Sequence, residues 1–362
     1  MTADLVDRAE RRTLLASTLG RLLLAEPGPG LAQLVAPLPE LAQLADTASA
    51  ADYERVFLRS VPPYESAFRS DDGRQGGAVA AAVADVYAEA GFDEHEGGQW
   101  RVAGPDHLGL ELRCHADLVG REGAAWAADR PDEAALAVEE ERRFLADHLA
   151  TWAAVAIRAL QSAATGTPYA VVLALVDEFL MEEVDRLRPA PLLGQRLDAS
   201  AGHPPTAFGP ARLARHLLAP GRSGVWIGVD DIAAAAARLG FPWRPMDGRG
   251  RLRQILDGAA EAGELPALME FLHTVAADSA AWYRQQVERQ PGTAAIWSDW
   301  AVRAEATADL LAHARDAGIQ PPTAEESEVV LRVCGPDVSR AAGLLEAAGF
   351  TVSDVAEDAT HC

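Results

Sequence analysis

The sequence contains no lysine and no asparagine, so all 32 of its basic residues are arginine. Without lysine, the chain has no amine for a Schiff base and no lysine for a phosphate-binding loop or a kinase-type strand. Without asparagine, it has no acceptor for N-linked glycosylation. Both absences are typical of codon usage in a GC-rich genome, as is the heavy use of alanine, arginine and glycine. Whatever the cause of these absences, the chain cannot carry out chemistry that requires lysine or asparagine.

Cysteine is scarce as well. The three cysteines, Cys114, Cys334 and Cys362, are odd in number and widely spaced, with no Cys-x-x-Cys pair. This pattern argues against a disulfide framework and a zinc ribbon, and it favours a reducing, cytoplasmic setting. No uninterrupted apolar run approaches the roughly 18 residues of a membrane-spanning helix. We therefore expect a cytoplasmic protein that is not inserted into a membrane.

Positive charge is in the minority, because 54 acidic residues oppose 32 arginines and leave a net charge of -22. Nucleic acids are bound by clustered positive charge, so this balance excludes them as partners. The acidic excess is larger in residues 1–188 than in the rest of the chain. A length of 362 residues predicts about two domains.

Residues 11–15, Arg-Arg-Thr-Leu-Leu, superficially resemble the start of a twin-arginine export signal. The apolar stretch that follows is interrupted by Arg21, and leucines recur at helical spacing at positions 15, 19, 22 and 23. This spacing favours an amphipathic first helix that packs on a core. An export signal is the alternative interpretation.

Apolar periodicity predicts helices throughout residues 1–188, and no strand is predicted there. The main helices are expected at 4–25, 77–90, 105–119, 132–160 and 167–186, with Asp106 as the N-cap of the third and Gly91 closing the second. Shorter helical stretches, 31–44 and 48–59, lie between them, the first broken by prolines. We predict an all-helical first domain at residues 1–188.

The remaining residues predict a linker and a second part. Residues 189–210 are rich in proline and indicate a linker. Residues 211–320 are predicted to be helical, with a weak strand signal at 224–229 and Trp282, Trp297 and Trp300 at spacing typical of a core. Residues 321–362 alternate in a way that predicts a small β-α-β tail. The predicted fold class is therefore mainly α, a helical domain followed by a second, mostly helical domain with this tail.

Four motifs in the first domain are informative in combination. They are Asp-Tyr-Glu-Arg-Val-Phe at 52–57, Pro-Tyr-Glu-Ser at 63–66, Pro-Asp-His-Leu-Gly-Leu-Glu-Leu at 105–112, and Phe-Leu-x-x-His-Leu-x-x-Trp at 144–152. In this order and spacing, residues 10–188 resemble the TorD/DmsD/NarJ family of redox-enzyme maturation chaperones. The region after the linker is not part of that resemblance.

The resemblance implies a cytoplasmic, all-helical chaperone without catalytic activity or a cofactor of its own, acting as a monomer or homodimer. Its partner would be the catalytic subunit of a molybdopterin-dependent oxidoreductase. The chaperone would bind the subunit's twin-arginine signal peptide, or its N-terminal segment, and assist cofactor insertion and assembly before export. The family's Asp-His pair at a helix start lines a peptide-binding groove. The matching client-binding residues here are Tyr64, Glu65, Ser66, Asp106, His107, Leu108 and Glu111.

The charge of this region agrees with such a partner. A twin-arginine peptide presents two guanidinium groups and then an apolar stretch, so its receptor needs carboxylates beside apolar side chains. Asp106, Glu111 and Glu65 supply the carboxylates. The chain departs from the family where Arg113-Cys114-His115 replaces bulky apolar residues, which puts the groove floor in doubt.

Two other interpretations of the same residues stay open. His107, Glu111 and either Cys114 or His115 share one helical face and form a candidate metal site, completed by Asp106 or His148. Alternatively, the Asp-His pair is purely structural, with Asp106 as a helix cap.

Other parts of the chain carry weaker signals. Residues 221–224 lack the frame of a nucleophile elbow, and residues 248–251 lack the third glycine of a dinucleotide loop. The basic cluster at 243–253 is either a solvated loop or a docking site for an acidic surface. An interaction scaffold that binds through its second part is a further alternative for the whole chain.

Overall fold

The computed structural model describes residues 2–95, 102–187, 209–241 and 248–317, all of which belong to one compact unit, Met1–Gln320. The predicted linker at 189–210 falls almost entirely outside these residues, and the predicted tail at 321–362 falls wholly outside them. Within the described ranges every regular element is helical, which confirms the mainly α fold class. The domain boundaries themselves remain predictions.

In the first half of the chain, the described residues form ten α-helices. They are α1 (Thr2–Leu24), α2 (Leu31–Val35), α3 (Leu44–Thr47), α4 (Ala50–Tyr53), α5 (Glu65–Arg69), α6 (Gly77–Ala90), α7 (Leu108–Ala127), α8 (Pro131–Phe144), α9 (Ala150–Ala163) and α10 (Tyr169–Leu187). A 3-10 turn lies at Pro39–Leu41, and π-helical turns lie at Glu54–Ser60 and Leu145–Leu149.

The described ranges of the second half, 209–241 and 248–317, contain six further α-helices. They are α11 (Pro210–Leu217), α12 (Pro220–Ser223), α13 (Val229–Arg238), α14 (Gly248–Ala262), α15 (Leu265–Arg289) and α16 (Ala294–Ala317), with a 3-10 turn at Pro291–Thr293.

Helices α1 and α7 pack closely along most of their length. Their backbones approach at two glycines: a Cβ at Gly20 would lie 2.6 Å from the carbonyl oxygen of Gly109, and a Cβ at Gly109 would lie 2.7 Å from that of Gly20. Real Cβ atoms do not come so near to backbone, so both positions require glycine. The amphipathic first helix predicted from the leucine spacing is confirmed, with Leu19, Leu22 and Leu23 buried.

The predicted motif at 52–57 contributes to the core rather than to the surface. Tyr53 and Phe57 are buried, and the Tyr53 hydroxyl donates a hydrogen bond of 2.9 Å to the carbonyl of Leu23. The two rings contact each other and the ring of Tyr169. This motif therefore joins α1, α4 and α10.

The later helices pack directly on the earlier ones. Trp300 of α16 donates from Nε1 to the carbonyl of Thr151 at 3.1 Å, and the ring of Trp226 stacks on Phe68 with centroids 5.1 Å apart. Trp297 and Trp300 are buried, as the sequence predicts. Trp282 is half-buried, and the guanidinium of Arg158 lies 4.4 Å from its ring centre.

The strand signal at 224–229 is wrong. These residues contain no strand, and α13 begins at Val229 with Gly228 as its N-cap and Asp231 accepting from the Gly228 N–H at 2.9 Å. The apolar alternation instead places Val225 and Ile227 in the core.

No helix in the described ranges is both long enough and apolar enough to span a bilayer.

Candidate functional site

Two predicted segments meet in space at a loop junction, which we define as Tyr64, Glu65, Ser66, Asp106 and His107. Tyr64 and His107 form an isolated antiparallel bridge. The Glu65 N–H donates to the carbonyl of Asp106 at 2.9 Å, and the Leu108 N–H donates to the carbonyl of Pro63 at 2.8 Å. The Pro-Tyr-Glu-Ser and Asp-His motifs are therefore hydrogen-bonded neighbours.

Two of the acceptor side chains in the junction, those of Asp106 and His107, cap helices. Asp106 was expected to cap its own helix, but its Oδ2 accepts from the N–H of Ser66 at 2.9 Å and so caps α5. The N-cap of α7 is His107, whose Nδ1 accepts from the N–H of Gly109 at 3.0 Å. The backbone bridge explains the difference, because it turns Asp106 towards the other segment.

His107 is neutral at physiological pH. Burial lowers its pKa to about 3, and its Nδ1 must be unprotonated to accept from Gly109. Its ring meets the ring of Tyr64 edge-on, with centroids 5.0 Å apart. The Tyr64 hydroxyl accepts from the N–H of Ala103 at 2.9 Å. This hydrogen bond holds the backbone just before Asp106 against Tyr64.

Glu65 links the junction to the π-helical turn at Leu145–Leu149. One carboxylate oxygen forms an ion pair with Arg69, and the other lies 3.0 Å from Nδ1 of His148. Arg69 also donates to the carbonyl of Asp147 at 2.8 Å. Asp147 and His148 both belong to the π-helical turn, a feature often found at functional positions.

Glu111 lies one turn into α7 and is completely buried. Its Oε2 accepts from Nε1 of Trp152 at 3.3 Å, while its Oε1 has no hydrogen-bond partner. Burial raises its pKa well above the ordinary value, and the charges of Glu65 and Asp106 add to the shift. Both effects favour the protonated form of Glu111, because burial penalises the charged carboxylate.

The predicted client-binding residues are thus assembled, but they are buried. Tyr64 is 9% exposed, His107 4%, and Glu65, Ser66, Asp106, Leu108 and Glu111 are at 0%. They form a polar joint between α5, α7 and α9 rather than the floor of an open groove. Spacing alone could not reveal this, since the sequence does not show which elements cover a loop.

The alternative metal site at His107, Glu111, Cys114 and His115 is not assembled in the described chain. The group there whose ligand atoms all lie within 4.8 Å of one another is His115, Glu141 and Glu183. Burial raises the pKa of the Cys114 thiol, which keeps it protonated.

Two arginines already occupy the carboxylates of that group. Arg12 donates to Glu183 at 2.7 Å and to Glu141 at 2.6 Å, and Arg186 bonds both as well. Burial alone would raise the pKa of Glu183, but hydrogen bonds from His115 and Arg12 outweigh it and lower the pKa. The cluster is therefore a charge-compensated ion-pair network.

An open groove lies beside the junction. This acidic groove has a volume of about 380 Å³ and is bounded by the end of the first π-helical turn, by α9, by the start of α13 with the segment before it, and by α15. Its apolar lining includes Val61, Val155, Trp226, Val275 and Tyr283. Its charged lining consists of Asp230, Asp231 and Asp278 with Arg158.

The acidic groove carries an excess of negative charge, with three carboxylates and one guanidinium in its lining. Asp230 and Asp278 are exposed, and in the described part of the chain neither forms an ion pair within 4 Å. Burial raises the pKa of Asp231, and the neighbouring charge of Asp230 adds to the shift. The adjacent aspartates that directly follow Val229 in the sequence are a visible signal for this site.

Residues 24–158 match the family model described as "Nitrate reductase delta subunit". Residues 24–158 belong to this family. It comprises the NarJ/TorD-type chaperones, so the family predicted from the motifs is confirmed for this segment, which is shorter than the predicted 10–188. No curated protein and no solved structure matches the chain significantly. The family segment contains the loop junction and ends at Arg158 in the acidic groove.

Proposed function

We propose that the chain is a cytoplasmic maturation chaperone for a molybdopterin-dependent oxidoreductase. It binds the twin-arginine signal peptide, or the N-terminal segment, of the catalytic subunit, holds it during cofactor insertion and assembly, and releases it before export. The chaperone carries out no catalysis of its own. Two observations support the proposal: the family match over 24–158 and an acidic groove next to the motifs of that family.

The acidic groove has the chemistry that a twin-arginine segment needs. Guanidinium groups form paired, charge-assisted hydrogen bonds with carboxylates, and Asp230 and Asp278 offer these at the rim. The apolar residues that follow the arginines would pack on Val61, Val155 and Val275. The carboxylates would mainly steer the encounter, while apolar contact would supply most of the affinity.

The loop junction acts in this proposal by positioning the groove wall. Asp106 caps α5, whose Phe68 stacks on Trp226, and Trp226 lines the acidic groove. Tyr64 follows Val61 by three residues in the same turn. Asp106, His107, Tyr64 and the other predicted residues are therefore positioning residues, with the client contacting their neighbours.

Binding of a labelled synthetic peptide tests the proposal. The peptide carries two adjacent arginines followed by an apolar run, and its control carries glutamine in place of both arginines. We expect the full-length chain to bind the arginine peptide, and the double variant Asp230→Asn, Asp278→Asn to bind it about tenfold more weakly, a loss of about 1.4 kcal/mol. Fluorescence anisotropy at low and high salt measures both effects.

The matched control variant is Asp46→Asn, Asp309→Asn, which removes the same charge from exposed residues outside the groove. It should bind like the original chain. Equal affinity of all three proteins would remove the groove assignment while leaving a peptide-binding function. Failure of the original chain to prefer the arginine peptide would remove that function.

A further inference from the structure

The charged side chains of the acidic groove come from two different parts of the chain. Asp230 and Asp231 belong to the start of α13, and Asp278 belongs to α15. Among the lining residues, the family segment at 24–158 contributes one charged side chain, Arg158. A bound arginine is therefore attracted by the second half of the chain and repelled by the family segment.

The guanidinium of Arg158 lies against aromatic rings of α15. It is 4.4 Å from the ring centre of Trp282 and 5.7 Å from that of Tyr283, and such contact stabilises the charged form. Burial lowers the pKa of Arg158, and the charge of Asp278 acts in the opposite direction. Arginine is protonated at neutral pH in proteins, so Arg158 is a permanent positive charge in the groove wall.

The two exposed carboxylates of the groove are not equivalent. Asp278 and Trp282 are four residues apart on α15, so they lie on one face of that helix, about one turn from each other. The charge of Asp278 acts on Arg158, whose guanidinium lies over Trp282. Asp230 lies on α13, where its neighbour in the chain is a second carboxylate, Asp231. Arg158 therefore screens Asp278 more than it screens Asp230.

We propose that Arg158 is a specificity-determining residue of the acidic groove. It screens Asp278, so that one arginine of the bound segment is held mainly at Asp230 and the other is held more weakly at Asp278. This inequality limits the affinity for two adjacent arginines, which suits a chaperone that releases its client. The inference rests on the proposed function and adds to it a residue that the family segment contributes.

A double-mutant cycle with the labelled arginine peptide tests the role of Arg158. In Arg158→Met the side chain keeps an apolar contact with Trp282 but loses its charge. We expect Arg158→Met to bind the peptide about threefold more tightly than the original chain does. Asp278→Asn should weaken binding about twofold in the original chain and about fivefold in Arg158→Met, whereas Asp230→Asn should weaken it about fivefold in both.

Three further variants separate the charge of Arg158 from its packing and from the folding of the chain. Arg158→Gln is a second neutral variant and should bind like Arg158→Met. Arg158→Lys keeps the positive charge and should bind within about twofold of the original chain. Arg289→Met removes an exposed arginine of α15 that does not line the groove, and it should leave binding unchanged.

The outcomes distinguish this inference from the proposed function. The role of Arg158 is overturned if neither neutral variant binds more tightly, if Arg158→Lys binds as tightly as they do, or if Asp278→Asn costs the same in both backgrounds. In each of these cases a preference of the original chain for the arginine peptide over its glutamine control leaves the proposed function standing. Without that preference, the proposed function and this inference both fall.

Discussion

His107 contributes to stability only while it is uncharged, because its Nδ1 must accept the N–H of Gly109 at the start of α7. Its pKa is about 3 in the folded chain and 6.5 for an ordinary histidine. Because the pKa is lower in the folded chain, the unfolded chain binds the proton at a higher pH than the folded chain does. The contribution is therefore complete above pH 6.5 and is lost as the pH falls from 6.5 towards 3.

The variant His107→Asn should reduce this pH dependence. Asparagine is a strong N-cap and does not titrate, so the helix start is kept while the proton-linked loss disappears. Between pH 7 and 5 the original chain should lose about 2 kcal/mol more unfolding free energy than the variant. Urea unfolding at several pH values measures this, with the exposed His313→Asn as control. Parallel curves for the original chain and His107→Asn would contradict the assignment.

At the scale of elements, the contact between α1 and α7 depends on glycine at one position and tolerates a side chain at another. A Cβ at Gly20 would lie 2.6 Å from the carbonyl oxygen of Gly109, whereas one at Gly120 meets nothing nearer than 3.9 Å. Gly20→Ala should therefore destabilise the chain by about 1–3 kcal/mol through overpacking. Gly120→Ala should be neutral or stabilising by up to about 1 kcal/mol through helix propensity.

Chemical denaturation of the two alanine variants checks this prediction. Each is the other's control, since the same substitution is made in the same helix pair. Equal stability of the two variants would show that the helices can separate at Gly20 without cost.

The sequence predicts helices well where a single local cause decides them. The leucine spacing predicts α1, and Gly91, at a φ of 66°, ends α6 as expected. Local sequence signals do not predict a feature that depends on contact with a segment far away in the chain. Asp106 was assigned to the wrong helix because its partner, Ser66, is 40 residues away. Nothing in the pattern at 145–149 indicates a π-helical turn, whose register depends on packing around His148.

The same distinction applies to the candidate site, of which the sequence predicts one part and not another. The resemblance places residues 63–66 and 105–108 in one site, and the backbone bridge between Tyr64 and His107 shows that the two segments are neighbours. The acidic groove was missed, since Val61, Arg158, Asp230 and Tyr283 converge from four separate segments. Burial of the predicted residues was missed for the same reason.

At the scale of the whole molecule, the second half covers apolar surface of the first. Trp226 stacks on Phe68, and Trp300 bonds to Thr151. A chain truncated after Leu187 would lose both contacts and expose this surface to water. We expect it to unfold at a lower temperature than the full chain and to bind the dye ANS. Thermal unfolding that matches the full chain would show instead that residues 1–187 are stable alone.

The ion pairs of Arg12 bear on how the chain avoids binding itself. Its own Arg-Arg-Thr-Leu-Leu sequence has the chemistry proposed for the client, two guanidinium groups followed by leucines. In the folded chain Arg12 is held by Glu122, Glu141 and Glu183, and Arg11 pairs with Asp7. Under the proposed function, folding therefore removes an internal competitor for the acidic groove, and a molecule with an unfolded α1 would expose that competitor to neighbouring molecules.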